Sequence, residues 1–204
     1  MPQSPFNLQV QNTQVEGRIV IALERIAQAF RVLLWNEGKA HALSPVQVQI
    51  LIFLLYQPVE RRTISLLAEA FNLTKATLSD SVKVLEKKKL VKRVPNRDLR
   101  SHTLELTAKG RELAMQSAVF TQEIQRPINK LSQAEKESML LGLLDIIYHL
   151  NQQGIISIQR MCYSCVHYKA NFKGHPHYCR LLNQQLRQAD IRIDCPEYSS
   201  VFST

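Results

Sequence analysis

The sequence predicts a mainly α-helical protein with one small β wing, and three observations carry that expectation. Apolar residues recur at helical steps through most of the chain up to residue 152. Alternation typical of strands is confined to residues 90–94 and 103–106, on either side of a turn rich in Pro95, Asn96, Asp98 and Ser101. All four cysteines, Cys162, Cys165, Cys179 and Cys195, follow that helical body. A chain of 204 residues, 45% of them hydrophobic, has room for one main domain and an appendix. We place the domain at residues 1–154 and the four-cysteine extension at 155–204.

The elements follow in order. Between residues 14 and 35, Ile19, Leu23, Ile26, Phe30 and Leu33 form one apolar stripe. Val20, Ala27 and Leu34 widen it, and Asn36-Glu37-Gly38 is expected to end the helix. Ser44-Pro45-Val46-Gln47 then supplies a cap, a proline at the first helical position and a capping-box glutamine. The nearly continuous apolar run 48–56 makes a core helix, stopped by Gln57-Pro58. Two short amphipathic helices come next, marked by Leu66, Leu67, Ala70 and Phe71, then by Leu78, Val82 and Leu85. Asn72-Leu73 separates them and Thr74 caps the second. Thr107 caps a further helix over 108–125, broken by Pro127. Ser132 and Glu135 open a last one carrying Met139, Leu140, Leu143, Ile146, Ile147 and Leu150.

Two short helices followed by a hairpin read as a winged helix-turn-helix, which sets one helix in the major groove of duplex DNA. With Leu78, Val82 and Leu85 turned inward, Lys75, Thr77, Ser79, Ser81 and Lys83 lie on or near the outward face. Short hydrogen-bonding and cationic side chains there suit base edges and phosphates. Arg97 and Arg100 at the hairpin tip can reach the minor groove or the backbone, with Asp98 orienting Arg100 by ion pairing. Of the net charge of +9, a surplus of seven falls between residues 83 and 111, where ten basic residues meet three acids. A charge run alone is as readily a solvated face; on this motif it reads as a phosphate-binding footprint.

The stretch LEKKKLVKRVPNRDLRSHTLELTAKG resembles the recognition-helix end and wing of MarR-type transcriptional regulators, with Asp98 and Arg100 preceding Leu106, Thr107 and Gly110. The resemblance extends over roughly residues 14–152 and is most specific in the wing. Lys89 stands where that family usually has a helix-ending glycine, and Asp80 where a basic residue is common. The resemblance implies a DNA-binding transcriptional regulator and a cleft for small-molecule effectors. It also implies a homodimer joined through the terminal helices. From the residues themselves, three long apolar-striped helices exceed what a small winged-helix core covers. They either pack within the chain or bury one another across a two-fold axis. In a dimer, recognition helices one DNA turn apart read a pseudo-palindrome with half-sites about 10 base pairs apart, or a multiple of that. A repressor is the expected role.

The cysteines follow the pattern C-x2-C, thirteen residues, C, fifteen residues, C. Two thiols on one short loop can share a metal ion with two others arriving from separate turns. Zinc is the expected cofactor, because a segment this small needs a staple to fold. Four thiolates are equally the ligand set of an iron–sulfur cluster, which is the alternative. His167, His175 and His177 lie close enough in sequence to replace a cysteine, and the metal centre is either structural or sensitive to redox and metal state. The competing readings are a thiol oxidoreductase built on Cys162 and Cys165, or a protein-docking module. The sequence contains no glycine-rich phosphate loop, no Gly-x-Ser-x-Gly and no evident pair of catalytic carboxylates, so catalysis is not expected. Residues 1–14 lack the order of a signal peptide, and no apolar run approaches the ~20 residues of a membrane span, so a cytoplasmic protein is expected.

Overall fold

The computed structural model describes residues 4–95, 102–157 and 160–201. They fall into two compact units, one of residues 1–64 and 76–125, the other of 65–75 and 126–204.

In the first unit, α1 (Leu8–Thr13) begins at Asn7, whose side chain accepts the Gln9 N–H at 2.9 Å. Helix α2 (Val15–Ala40) continues past the expected stop at Gly38. Gly38 is a packing glycine: a Cβ there would stand 2.4 Å from the Leu43 carbonyl oxygen, and the Leu43 N–H donates back to the Gly38 carbonyl at 2.8 Å. The chain turns instead at Ala42, in the left-handed region at φ 51°. The Ser44–Gln47 capping box then opens α3 (Pro45–Tyr56), with the two reciprocal bonds at 3.3 and 3.0 Å. Val48, Ile50, Leu51 and Leu54 on α3 are fully buried.

Helix α5 (Lys75–Lys87) adds Leu78, Val82 and Leu85 to this buried set. Strands β1 (Val91–Pro95) and β2 (His102–Leu106) pair antiparallel from Val91↔Leu106 to Pro95↔His102. On the outer side of β2, the Leu104 N–H donates to the Arg62 carbonyl at 2.7 Å. Between α5 and β1, Lys89 takes the left-handed conformation (φ 56°) that glycine adopts without strain. Its N–H donates to Glu86 and that of Leu90 to Leu85, both at 2.9 Å, closing the helix end. A left-handed non-glycine residue costs about 1 kcal/mol, so Lys89→Gly is expected to stabilise the protein by about that amount in urea denaturation. An unchanged or lowered midpoint would show that the lysine side chain itself contributes to stability.

The single helix expected over 108–125 is divided into α6 (Ala108–Ser117) and α7 (Gln122–Asn129). At the break, bonds step back three residues, from Phe120 to Ser117 (3.2 Å) and from Gln122 to Val119 (3.0 Å), which tightens the turn. Pro127 lies inside α7, not beyond its end. Helix α6 packs on α3 and β2 and buries Ala114.

The second unit holds α4 (Ile64–Phe71) from Ser65 onward, with Leu67 and Ala68 buried and Ala70 exposed. It also holds α8 (Gln133–Gln152), started by the Ser132–Glu135 capping box. After α8 comes an antiparallel sheet absent from the sequence expectation, in the order β3 (Tyr168–Phe172), β4 (His175–Cys179), β5 (Gln184–Leu186). The C-terminal segment has its own core, in which Leu144 of α8 meets Met161, Cys162, Leu186 and Ile191. Leu140, Ile147 and Tyr148 of α8 pack around it. Among the described residues, no single helix is long and apolar enough to cross a membrane.

Candidate nucleic-acid interface and cysteine centre

Burial of Leu78, Val82 and Leu85 fixes the rotation of α5 about its axis. Lys75, Thr77, Asp80 and Lys83 are therefore exposed, while Ser79 and Ser81, beside the buried line, are half-buried. The face is not uniformly cationic. Lys83 donates to Asp80 at 2.9 Å, one helical turn earlier, and both side chains are largely in solvent. Such a pair is weak, worth up to about 1 kcal/mol, so a phosphate can compete for the lysine.

The hairpin stem repeats the arrangement. Lys92 pairs with Glu105 across the strands at 2.9 Å, and Arg93 reaches Glu86 of α5 at 3.2 Å. These pairs join the stem to itself and to the helix; sequence reading took both residues only as part of the positive surplus. Arg97, Asp98 and Arg100, the expected wing-tip residues, lie outside the described residues.

The Cys162–Cys165 pair, Cys179 and Cys195 line one cavity of about 30 Å3 together with His167, Tyr168 and Leu186. Cys162 and Cys165 are buried, Cys179 and Cys195 half-buried, and none is in a disulfide. Among the described residues no three His, Cys, Asp or Glu side chains are gathered as a single-ion site. The thiols stand around the cavity, a donor set suited to a soft metal but not drawn to one point. Burial, above all, raises the Cys162 pKa, and the other three thiols add to the rise. The Arg192 backbone N–H, donating to its sulfur at 3.3 Å, opposes it. The Arg192 guanidinium also reaches Cys195 Sγ (3.5 Å) and Glu197 (3.2 Å). Sequence reading missed Arg192; its place three residues before Cys195 is the only signal the sequence offers.

The histidines separate. His167 lines the cavity. His177, nearer to Cys179 in sequence, shares a 2.7 Å hydrogen bond with the Tyr168 hydroxyl and stacks on that ring. Burial pushes the Tyr168 pKa up to about 12, keeping the hydroxyl protonated. His175 stacks on Tyr178.

Residues 42–100 match the model of the MarR family. Among solved structures, the chain is similar to S. aureus MepR in its DNA-binding conformation, at 24% identity over 65% of this chain and 98% of that one, TM-score 0.58. The S. aureus MepR–DNA complex gives 23% identity over 64% and 96%, TM-score 0.56. A MarR-family transcriptional regulator from Silicibacter pomeroyi gives 21% over 70% and 94%, TM-score 0.56. No curated protein matches the sequence. Likeness at these identities establishes the fold, which is the winged helix of the MarR regulators with its antiparallel wing. The family match ends before the cysteine segment.

Proposed function

We propose that this chain is a MarR-type transcriptional regulator that grips duplex DNA as a homodimer and carries a C-terminal metal centre, for zinc or an iron–sulfur cluster. The observation that carries the reading is the exposed face of α5, set by three fully buried leucine and valine side chains and flanked by a basic hairpin stem. Lys75, Thr77, Ser79, Ser81 and Lys83 read the groove, and Arg97 and Arg100, oriented by Asp98, clamp at the wing. Fold analogy supports the reading, since one structural relative is a DNA complex.

Dimerisation is supported by the surface of α2. Ile19, Ile26 and Phe30 are exposed along one face of that helix, and Val20, Val32 and Trp35 are exposed on its other sides. Exposed large apolar side chains in this number on one helix suit an interaction surface. Repression of the operator's own neighbourhood is the role such a dimer fits by occupying DNA, and small-molecule effectors are its candidate ligands.

Asp80 supplies the test of the α5 face. Its carboxylate repels phosphate and holds Lys83. Asp80→Asn removes both effects, and duplex affinity is expected to rise roughly threefold to tenfold at low salt, about the worth of one near-surface charge interaction. Titration of DNA from upstream of the chain's own gene measures it. Unchanged or weakened binding would remove α5 from the interface.

A further inference from the structure

The sheet of the C-terminal segment has two unlike faces. Residues directly opposite one another on antiparallel strands share a face. Ala170, His177 and Leu186 form one such row, and Leu186 lies in the segment's core. Lys169, Tyr178 and Gln185 form the alternate row, turned away from that core. We infer that this second face of the β3–β4 hairpin binds single-stranded nucleic acid, stacking bases on Phe172 and His175 and holding phosphates with Lys169, Lys173 and Arg180.

The hairpin gathers its rings by its own geometry. Asn171, at φ 50°, interrupts the regular alternation of β3. Beyond it, the Phe172 and His175 rings turn to Tyr178, with centroids 5.1 and 6.4 Å from that ring and the imidazole stacked at 17°. Tyr178 is buried in this cluster and fixed by its hydroxyl, which donates to Asn183 at 2.7 Å. Phe172 and His175 are half-buried and keep part of their surface in solvent. Both residues of the turn, Lys173 and Gly174, are at positive φ, as a two-residue hairpin turn of type I′ requires. The turn sets the Lys173 ammonium over the cluster, 5.6 Å from the Phe172 centroid and 5.5 Å from that of Tyr178.

Charge selects the partner. Residues 160–201 hold six arginines and lysines and three acids. Each acid is taken by an arginine: Asp194 by Arg160 and Asp190 by Arg187, both at 3.0 Å, and Glu197 by Arg192 at 3.2 Å. Lys169, Lys173 and Arg180 are the cations of this segment left without a carboxylate partner among the described residues. All three are exposed, and all three belong to the hairpin. Arg180 continues the β3–β4 pairing, its N–H donating to the His167 carbonyl at 2.7 Å.

A nucleotide matches both halves of this surface, a flat base for the rings and a phosphate for the cations. An acidic peptide would use the cations and leave the rings idle, and a duplex keeps its base faces stacked on one another. The contacts of Lys173 with the rings are weak at an exposed site, so a phosphate can draw the ammonium away and free the Phe172 face for a base.

The test titrates the purified chain with an oligothymidylate of about ten nucleotides, within the site sizes such surfaces cover, across a salt series. Phe172→Leu keeps an apolar side chain and loses the ring; it is expected to weaken binding about tenfold, the order of one lost base stack. Lys169→Gln with Lys173→Gln is expected to weaken binding and to make the slope of log affinity against log salt shallower by about 1.4, at ~0.7 for each phosphate released. Photocross-linked peptides are expected from residues 168–180. Should hydrogen exchange show that Phe172→Leu loses the sheet, His175→Gln at the turn carries the ring test with the same expectation. A natural protein that ignores the oligothymidylate at the lowest salt overturns the inference, as do cross-links confined to α5. Ring variants that bind like the natural protein, or an unchanged salt slope in the lysine variant, overturn it too. Equal affinity for a polyglutamate peptide of the same length would make the partner an acidic protein segment and likewise overturns it.

Discussion

Gly110→Ala is expected to destabilise the winged-helix unit by about 3 kcal/mol or more, lowering Tm by roughly 6–12 °C. A Cβ at this position would stand 1.9 Å from the Leu90 carbonyl oxygen and 2.8 Å from its carbon, both backbone atoms that no rotamer change can move. The neighbouring bonds show why the backbone cannot retreat. The Thr107 N–H donates to Leu90 at 3.0 Å, its hydroxyl donates to the Lys89 carbonyl at 2.7 Å, and the same oxygen accepts the Gly110 N–H at 3.0 Å. This joint ties the end of α5 to the start of α6 across the base of the wing. Gly142→Ala is the matched control: nothing lies within 4 Å of its Cβ position in the helix α8. Relief of the glycine entropy cost there is expected to add about 1 kcal/mol. Calorimetry of the two variants checks the contrast, and a Gly110→Ala protein melting with the natural one would contradict the packing at the joint.

Cys165→Ser is expected to abolish metal retention and melt the C-terminal segment while leaving the winged-helix unit folded. The core of that segment is small, five buried side chains from Leu144 to Ile191, with Cys162 among them. An apolar core of a small scaffold contributes no more than about 3–5 kcal/mol, whereas structural thiolate–zinc ligation contributes on the order of 10 kcal/mol. In the proposed zinc site the ligation as a whole outweighs the core that surrounds it, and Cys165→Ser removes one of its four donors. Metal analysis and hydrogen exchange read the outcome: backbone amides of β3, β4 and β5 should lose protection, and those of α3 and α6 should not. A variant with no metal and full protection of the sheet would make the cysteines dispensable for folding. Ordinary metal content in the variant would remove Cys165 from the donor set.

The helices were legible where the sequence states its own boundaries. Ser44-Pro45-Val46-Gln47 and Ser132 to Glu135 announce capping boxes that the structure contains. The spacing of Leu78, Val82 and Leu85 was enough to define the buried side of α5. Gly38 misled because a glycine required for close approach and a glycine that ends a helix look alike in one dimension. The division of α6 from α7 depends on three-residue-step bonds that periodicity does not show. At the candidate sites, residue types were legible but pairings were not. Lys83 with Asp80 is a local pair that a helical wheel could have given, whereas Arg93 with Glu86 requires the hairpin to fold back on α5. The four cysteines signalled their grouping by spacing alone. The sheet between them did not, since its strands are short, with Asn171 at positive φ inside β3 and Lys173 and Asn183 at positive φ in the connections. The hydroxyl of Ser157, reaching back to α4 from the far side of α8, had no sequence signal at all.

The most direct measurement titrates the purified chain with duplex DNA from upstream of its gene across a salt series while sedimentation fixes the stoichiometry. The account predicts a dimer in free solution and two chains per operator half-site pair. It also predicts that log affinity falls linearly with log salt, with a slope near −0.9 for each phosphate neutralised, or roughly 10³-fold or more between 50 and 200 mM salt if about six phosphates are contacted. A strictly monomeric protein that ignores duplex DNA at the lowest salt would contradict it.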